Sequence, residues 1–135
     1  MANKTVFDTN IWISYFLKGK FQELIDFVFE NDVEFCRSKE LTAELKEVLG
    51  RKKFQKHLEL PVEKYISFYE KLSVLVAVKK QFSGCRDPKD NYLFDLAIQS
   101  VADYLVSGDK DVRETKIEPP LQVVTLTKFK ELVGQ

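Results

Sequence analysis

The sequence is short of the residue types that most often carry site chemistry. It has one histidine and two cysteines in 135 residues. The histidine, His57, lies in a basic connector with no partner near it in sequence, which argues against an imidazole-based acid, base or nucleophile pairing. Cys36 and Cys85 form neither a metal-ligand spacing nor a disulfide framework. They read as small buried hydrophobes, and a reducing cytoplasm is the expected compartment. Net charge is missing too, since 21 Lys and Arg cancel 21 Asp and Glu. That argues against a protein held to nucleic acid by bulk positive charge, but leaves room for a local basic rim around an acidic centre. No apolar run is long enough to span a membrane and no signal-peptide pattern is seen, so no membrane association is expected. Repeats, linkers and low-complexity segments are absent. One domain over residues 1–135 is therefore expected.

What is present is apolar material in ordered alternation: 44% hydrophobic and 13% aromatic residues, enough for a real core. Thr5-Val6-Phe7 reads as a buried strand. A short helix over Ile11–Leu17 and a second over Phe21–Phe29 follow, the latter with 21, 24, 25, 28 and 29 at helical spacing. Asn31-Asp32 breaks it. Val33–Cys36 reads as strand two. Ser38 caps a helix with Leu41, Leu45, Val48 and Leu49 on one face, ended by Gly50. Pro61 opens a helix to about Leu72. Val74–Val78 reads as strand three, before a polar loop from Lys79 to Arg86. Asp87 and Pro88 start a helix to about Ser100. Asp103–Ser107 is strand four, and Leu121–Thr125 strand five. Thr127 caps a last helix, Lys128–Val133. Strands alternating with helices imply one parallel α/β sheet with helices on both faces.

Four acids stand out against this pattern. Asp8 directly follows the buried run Thr5-Val6-Phe7, and Asp109 follows Tyr104-Leu105-Val106 in the same way. In open α/β sheets the carboxyl ends of strands are where ligands bind. Glu44 borders the apolar stripe of its helix, whereas Glu47 lies further round and reads as solvated. Asp90 heads the stripe made by Leu93, Phe94, Ala97, Ile98 and Val101; Asp95 points away from it and reads as a surface charge. Each acid has a plain explanation when taken alone. Asp8 can cap a helix, Glu44 can be a boundary residue, Asp90 can belong to a capping box with Asp87, and Asp109 can form a turn with Gly108. Taken together they place like charges inside a fold, which is costly. A divalent cation offsets that cost. An all-oxygen ligand set points to Mg²⁺ or Mn²⁺, the ions of phosphoryl chemistry.

These segments resemble a PIN domain, and more narrowly the small prokaryotic VapC-like toxin ribonucleases of toxin–antitoxin pairs. The resemblance is carried by Val-Phe-Asp-Thr-Asn (6–10), Ser-Lys-Glu-Leu-Thr-Ala-Glu-Leu (38–45), Arg-Asp-Pro-Lys-Asp-Asn-Tyr-Leu (86–93) and Asp-Tyr-Leu-Val-Ser-Gly-Asp-Lys-Asp (103–111). It implies a PIN-like three-layer fold with a parallel sheet of about five strands in the order 3-2-1-4-5. It also implies an acidic quartet of Asp8, Glu44, Asp90 and Asp109, with Asn10 and Ser107 as polar neighbours and Asp87 and Asp111 as accessory acids. Many relatives have Thr where this chain has Ser107, and the hydroxyl is kept.

The reading that results is an RNA phosphodiester hydrolase. Asp8, Asp90 and Asp109 would hold one or two Mg²⁺ or Mn²⁺ ions, with Glu44 as a ligand or orienter of water. Arg51, Lys52, Lys53, Arg86 and Lys89 are candidate guides for an RNA backbone, although the run from Arg51 to His57 reads equally as a solvated connector. A small antitoxin and a second copy of the chain are the protein partners that the resemblance implies. Trp12, Tyr15, Phe16 and Tyr69 would serve such surfaces if exposed, and core packing explains most of them as well. Two alternatives stay open: a PIN fold that binds RNA or protein without catalysis, and a phosphatase or receiver-type acidic pocket. The second is disfavoured, because Asn10 stands where a phosphatase of that kind wants a second Asp and lysines follow Val78.

Overall fold

Residues 2–134 are described here by a computed structural model. The strands are β1 (Asn3–Phe7), β2 (Val33–Arg37), β3 (Ser73–Leu75), β4 (Tyr104–Val106) and β5 (Gln122–Val124). They form a five-stranded sheet in the order β3-β2-β1-β4-β5, with every pairing parallel. The helices between them are α1 (Thr9–Leu17), α2 (Phe21–Asn31), α3 (Lys39–Leu49), α4 (Lys52–Gln55), α5 (Val62–Leu72), α6 (Asn91–Gln99), α7 (Lys110–Arg113) and α8 (Leu126–Val133), with a 3₁₀ turn over Pro88–Asp90. This is the expected α/β, PIN-like architecture and strand order. The chain winds outward one way from β1 and the other way from β4, so the switch point lies between those two strands.

Side chains alternate across the sheet, so Phe7 and Phe35 share one face and Val6 and Cys36 the other. The Phe7 face is aromatic. Phe7 contacts Trp12 of α1 edge-on at 5.5 Å, Phe35 of β2 at 4.4 Å and Phe129 of α8 at 5.6 Å. Trp12 in turn meets Tyr69 of α5 at 5.0 Å. Each such pair adds about 1 kcal/mol beyond the area it buries, so this layer anchors β1, β2 and α1 to one another. The opposite face is covered by α6, which packs on β1, β2 and β4. A rigid sheet held from both sides fixes where the strand ends point.

Several boundaries differ from the sequence expectation, each for a local reason. β3 spans Ser73–Leu75, not Val74–Val78. Its one neighbour among the described strands, β2, turns into α3 at Ser38, so the ladder ends after Val76 donates to the Arg37 carbonyl (2.8 Å). As an edge strand it leaves Val74 and Leu75 half exposed. α1 starts at Thr9 rather than Ile11, because Asp8 caps it. Pro61 is the cap residue of α5 and not its first helical position. The last helix is capped by Thr125, whose Oγ accepts from the Lys128 amide at 3.2 Å; Thr127 sits inside the first turn. Trp12, Tyr15, Phe16 and Tyr69 are all buried and supply core, not surface. Phe29, by contrast, lies outside the core at 78% exposure. The stripe headed by Asp90 is buried at Leu93, Phe94 and Ala97 but surfaces at Ile98 and Val101. Among the described residues no helix is long and apolar enough to cross a membrane.

A candidate active site between the first and fourth strands

Asp8 ends β1 with its carboxylate turned inward, 6% exposed. Parallel pairing sets Phe7 beside Val106, and the Asp8 amide still donates to the Val106 carbonyl (2.9 Å). Asp8 therefore stands next to Ser107, the residue that leaves β4. The Ser107 hydroxyl donates to Asp8 Oδ2 (2.6 Å) and accepts from the Asp109 amide (3.0 Å). The Thr9 amide donates to Asp8 Oδ1 (2.7 Å), and Asn10 Nδ2 reaches Oδ2 at 3.4 Å. Asn10 Oδ1 accepts from the Gly108 amide at 3.4 Å, tying the start of α1 to the loop after β4. The helix-cap reading of Asp8 thus holds, and the same carboxylate stands at the switch point: one oxygen caps α1, and the other faces β4.

Asp109 caps α7, accepting from the Asp111 amide at 2.9 Å. Asp90 arrives from the opposite direction, at the end of the 3₁₀ turn that Asp87 caps through the Lys89 amide (3.2 Å). Glu44 comes from the middle of α3, half-buried. All four acids line one cleft of about 480 Å³, together with Thr9, Asn10, Arg51, Lys53 and Lys89. A second cavity of about 470 Å³ shares Glu44 and Lys89 with it and includes Tyr92.

The electrostatics follow from crowding. Burial is the main cause pushing the Asp90 carboxyl up to about 6, and the charges of Asp8, Asp109 and Asp87 add to it. Asp8 is also raised, again mainly by burial; the hydrogen bonds from Ser107 and Thr9 pull it back, and Asp109 pushes it up. Burial and the charges of Asp8, Glu44 and Asp90 raise the Tyr92 phenol, which stays a neutral hydroxyl beside the acids. Asp90 Oδ2 is buried with no hydrogen-bond partner among the described residues. A buried carboxylate oxygen without a partner is expensive and needs an explanation.

A divalent cation provides one. The donor set is all oxygen, suited to Mg²⁺ or Mn²⁺. The fit is one of chemistry and not of a finished cage: among the described residues no three potential ligands stand together closely enough to hold an ion as they are.

The other sequence candidates divide. Ser107 is fully buried behind Asp8 and positions it. Asp87 pairs with Lys89 (3.7 Å) and Asp111 with Arg86 (3.3 Å), both outside the cleft wall. Lys52 and Arg86 do not line the cleft either. Glu47 is exposed and bonds Arg51 at 2.8 Å, as a solvated residue should. The sequence reading missed Lys18, Phe54, Tyr92 and Asp95. Lys18 falls on the stripe 10, 14, 17, 18 once α1 is started at its true cap. Asp95 is not a surface charge. It is 4% exposed, and its Oδ1 accepts the Gln81 and Phe82 amides at 3.0 and 2.7 Å. The loop from Lys79 onward folds back over α6, and helical periodicity alone carries no sign of that.

A family model described as PIN domain matches residues 4–111, a span that contains all four acids. The chain is 29% identical over 113 residues to an uncharacterized protein of Methanocaldococcus jannaschii, covering 81% of this chain and 72% of that one. No solved structure matches it.

Proposed function

This chain belongs to the PIN domain family, and on that premise we propose that the acidic cleft is the active site of a Mg²⁺- or Mn²⁺-dependent endoribonuclease. The observation that carries the reading is the convergence of Asp8, Glu44, Asp90 and Asp109 on one cleft, with a buried Asp90 oxygen that has no partner among the described residues. Asp8, Asp90 and Asp109 would hold the ion or ions. When bound, the metal polarises the phosphate and supplies a nucleophilic water at neutral pH. The chain's own groups do the rest. Ser107 and Thr9 hold Asp8 in one orientation through their hydrogen bonds. Glu44, half-buried in the cleft wall, accepts a hydrogen bond from the attacking water and aims it. Water adds to phosphorus, the P–O bond to the leaving sugar breaks, and the leaving oxygen takes up a proton. Lys89 and Arg51 stand at the cleft edge to meet the strand's phosphates. A single-stranded or looped RNA suits this crevice best, because the scissile phosphate must be carried into it.

The narrower role, as the toxin of a toxin–antitoxin pair acting in the cytoplasm, is supported by the four motif segments. It adds a small antitoxin and a second copy of the chain as partners. Co-expression with candidate small proteins, followed by cleavage assays, tests that role.

The direct test of the nuclease is RNA cleavage by the purified protein with Mg²⁺ or Mn²⁺, against EDTA and the Asp8→Asn and Asp90→Asn variants. Cleavage that needs both metal and acids is expected. No cleavage together with no metal binding would overturn catalysis and leave an RNA- or protein-binding PIN fold.

A further inference from the structure

The cleft has two ends of opposite character, and the acids occupy only one. α1 runs along its floor from Asn10 at the acidic end to Lys18. At about 1.5 Å per residue that is roughly 12 Å. α3 forms one wall in the same direction, through Glu44, Val48 and then Arg51, and α4 adds Lys53 and Phe54. Away from the acids, the lining turns apolar at Ile13, Leu17, Val48 and Phe54. Phe54 is only half-buried, and Lys53 Nζ lies 5.0 Å from its ring centroid. Among the described residues the Arg51 side chain is held by an exposed pair with Glu47 alone, an interaction worth little and easily exchanged. Cations with an aromatic ring among them in one groove are what single-stranded nucleic acid binds through, the cations on its backbone and the ring on a base.

Building on the nuclease reading, we infer that this far end is a nucleotide subsite, where a base of single-stranded RNA lies against Phe54 and Leu17 while the adjoining phosphate meets Lys18, Arg51 and Lys53. The plain alternative is that Phe54 only seals the edge of the core. α4 has just four residues and none of them is buried. Lys53 lies over the ring and Lys18 and Arg51 line the same cleft, which a ring used only as a seal does not need. The subsite also settles a difficulty at the acidic end: the anionic strand is drawn in by the cationic end, and its next phosphate is delivered to the carboxylates.

The test is an abasic scan. A single-stranded RNA of about eight nucleotides is bound to the Asp109→Asn protein in Mg²⁺, so that the strand stays intact, and its bases are removed one at a time. One position is expected to weaken binding about fivefold or more. Phe54→Leu, which keeps apolar volume, should erase that positional penalty while the protein melts as before. Lys53→Ala should weaken every member of the scan alike and reduce the salt dependence of binding. No binding, or the same positional penalty with Phe54→Leu, overturns the subsite. The nuclease reading is read separately from wild-type cleavage. Cleavage without Phe54 dependence sinks the subsite alone, whereas base-dependent binding without cleavage sinks the nuclease alone.

Discussion

Asp90 and Asp95 are five residues apart, at the head and in the middle of one helix, and the protein treats them in opposite ways. Asp95 is the more buried, yet its Oδ1 meets two donors. It holds the amides of Gln81 and Phe82, while Gln99 of the same helix exchanges hydrogen bonds with the backbone of Lys79 (2.8 and 2.6 Å). Together they strap the loop over α6, where Phe82 stacks on Phe94 at 4.7 Å. Asp90 is less buried and worse off. One oxygen has no partner among the described residues, and the charges of Asp8 and Asp109 press on the carboxylate. Depth of burial therefore does not separate the two acids. An unmet electrostatic demand does, and that demand is what makes Asp90 the candidate for the proposed metal site.

The comparison can be broken by mutation. Asp90→Asn should reduce metal-dependent RNA cleavage by at least about a hundredfold, since even residues behind a metal's direct ligands can cost that much. Its melting temperature without metal should hold or rise, because a crowded charge has been removed. Cleavage that survives Asp90→Asn would place the chemistry elsewhere. Metal addition gives the next largest effect. Mg²⁺ or Mn²⁺ at a hundredfold above its Kd should stabilise the folded state by about 2.7 kcal/mol. Thermal melts would read that shift, which Asp90→Asn should abolish and Asp95→Asn should keep. An equal shift in both variants would mean that the ion sits outside the cleft.

Asp95→Ala should show the reverse pattern. It strips two amides of their acceptor, and because the strap is partly open to water the loss should be about 2 kcal/mol, at the middle of the usual range. Chemical denaturation measures it. Asp95→Asn keeps an acceptor oxygen and should recover most of the loss, which a requirement for charge would not allow. Cleavage per folded molecule should change far less than in Asp90→Asn.

How much of this was legible beforehand follows the same division. The sheet order and the convergence of the acids were within reach, because a buried strand followed by an acid is a local pattern and the family resemblance supplied the order. Asp8 was readable from three preceding residues. Asp95 was not, because its partners lie 13 and 14 residues upstream in a loop without periodicity, and a helical projection knows nothing of a strap laid across the helix. β3 ended early for a similar reason: Val76–Val78 have strand composition, but pairing depends on where β2 turns away. Lys18 was hidden by an error of two residues in the start of α1, and Phe54 by reading the basic connector as charge alone.

The smallest expected effect is also the most specific to Asp90. Its folded-state carboxyl stands at about 6, above the ordinary value of 3.8. A raised carboxyl means that the folded state binds the proton more tightly than the unfolded chain does. The stabilisation this gives is therefore fully present below about pH 4, and is lost as pH rises through about 6. In EDTA, the wild-type protein should become less stable across that window relative to Asp90→Asn, whose curve lacks this component. Asp8, raised in the same sense, contributes in the same direction in both proteins. Metal reverses the slope, because it needs the ionised carboxylate and competes with the proton. Its stabilising shift should be small near pH 5 and grow above pH 6. Urea midpoints at a series of pH values, with and without Mg²⁺, separate the two slopes. Parallel curves for wild type and Asp90→Asn in EDTA would show that the Asp90 carboxylate is already at ease, and the contrast with Asp95 would then lose its physical basis.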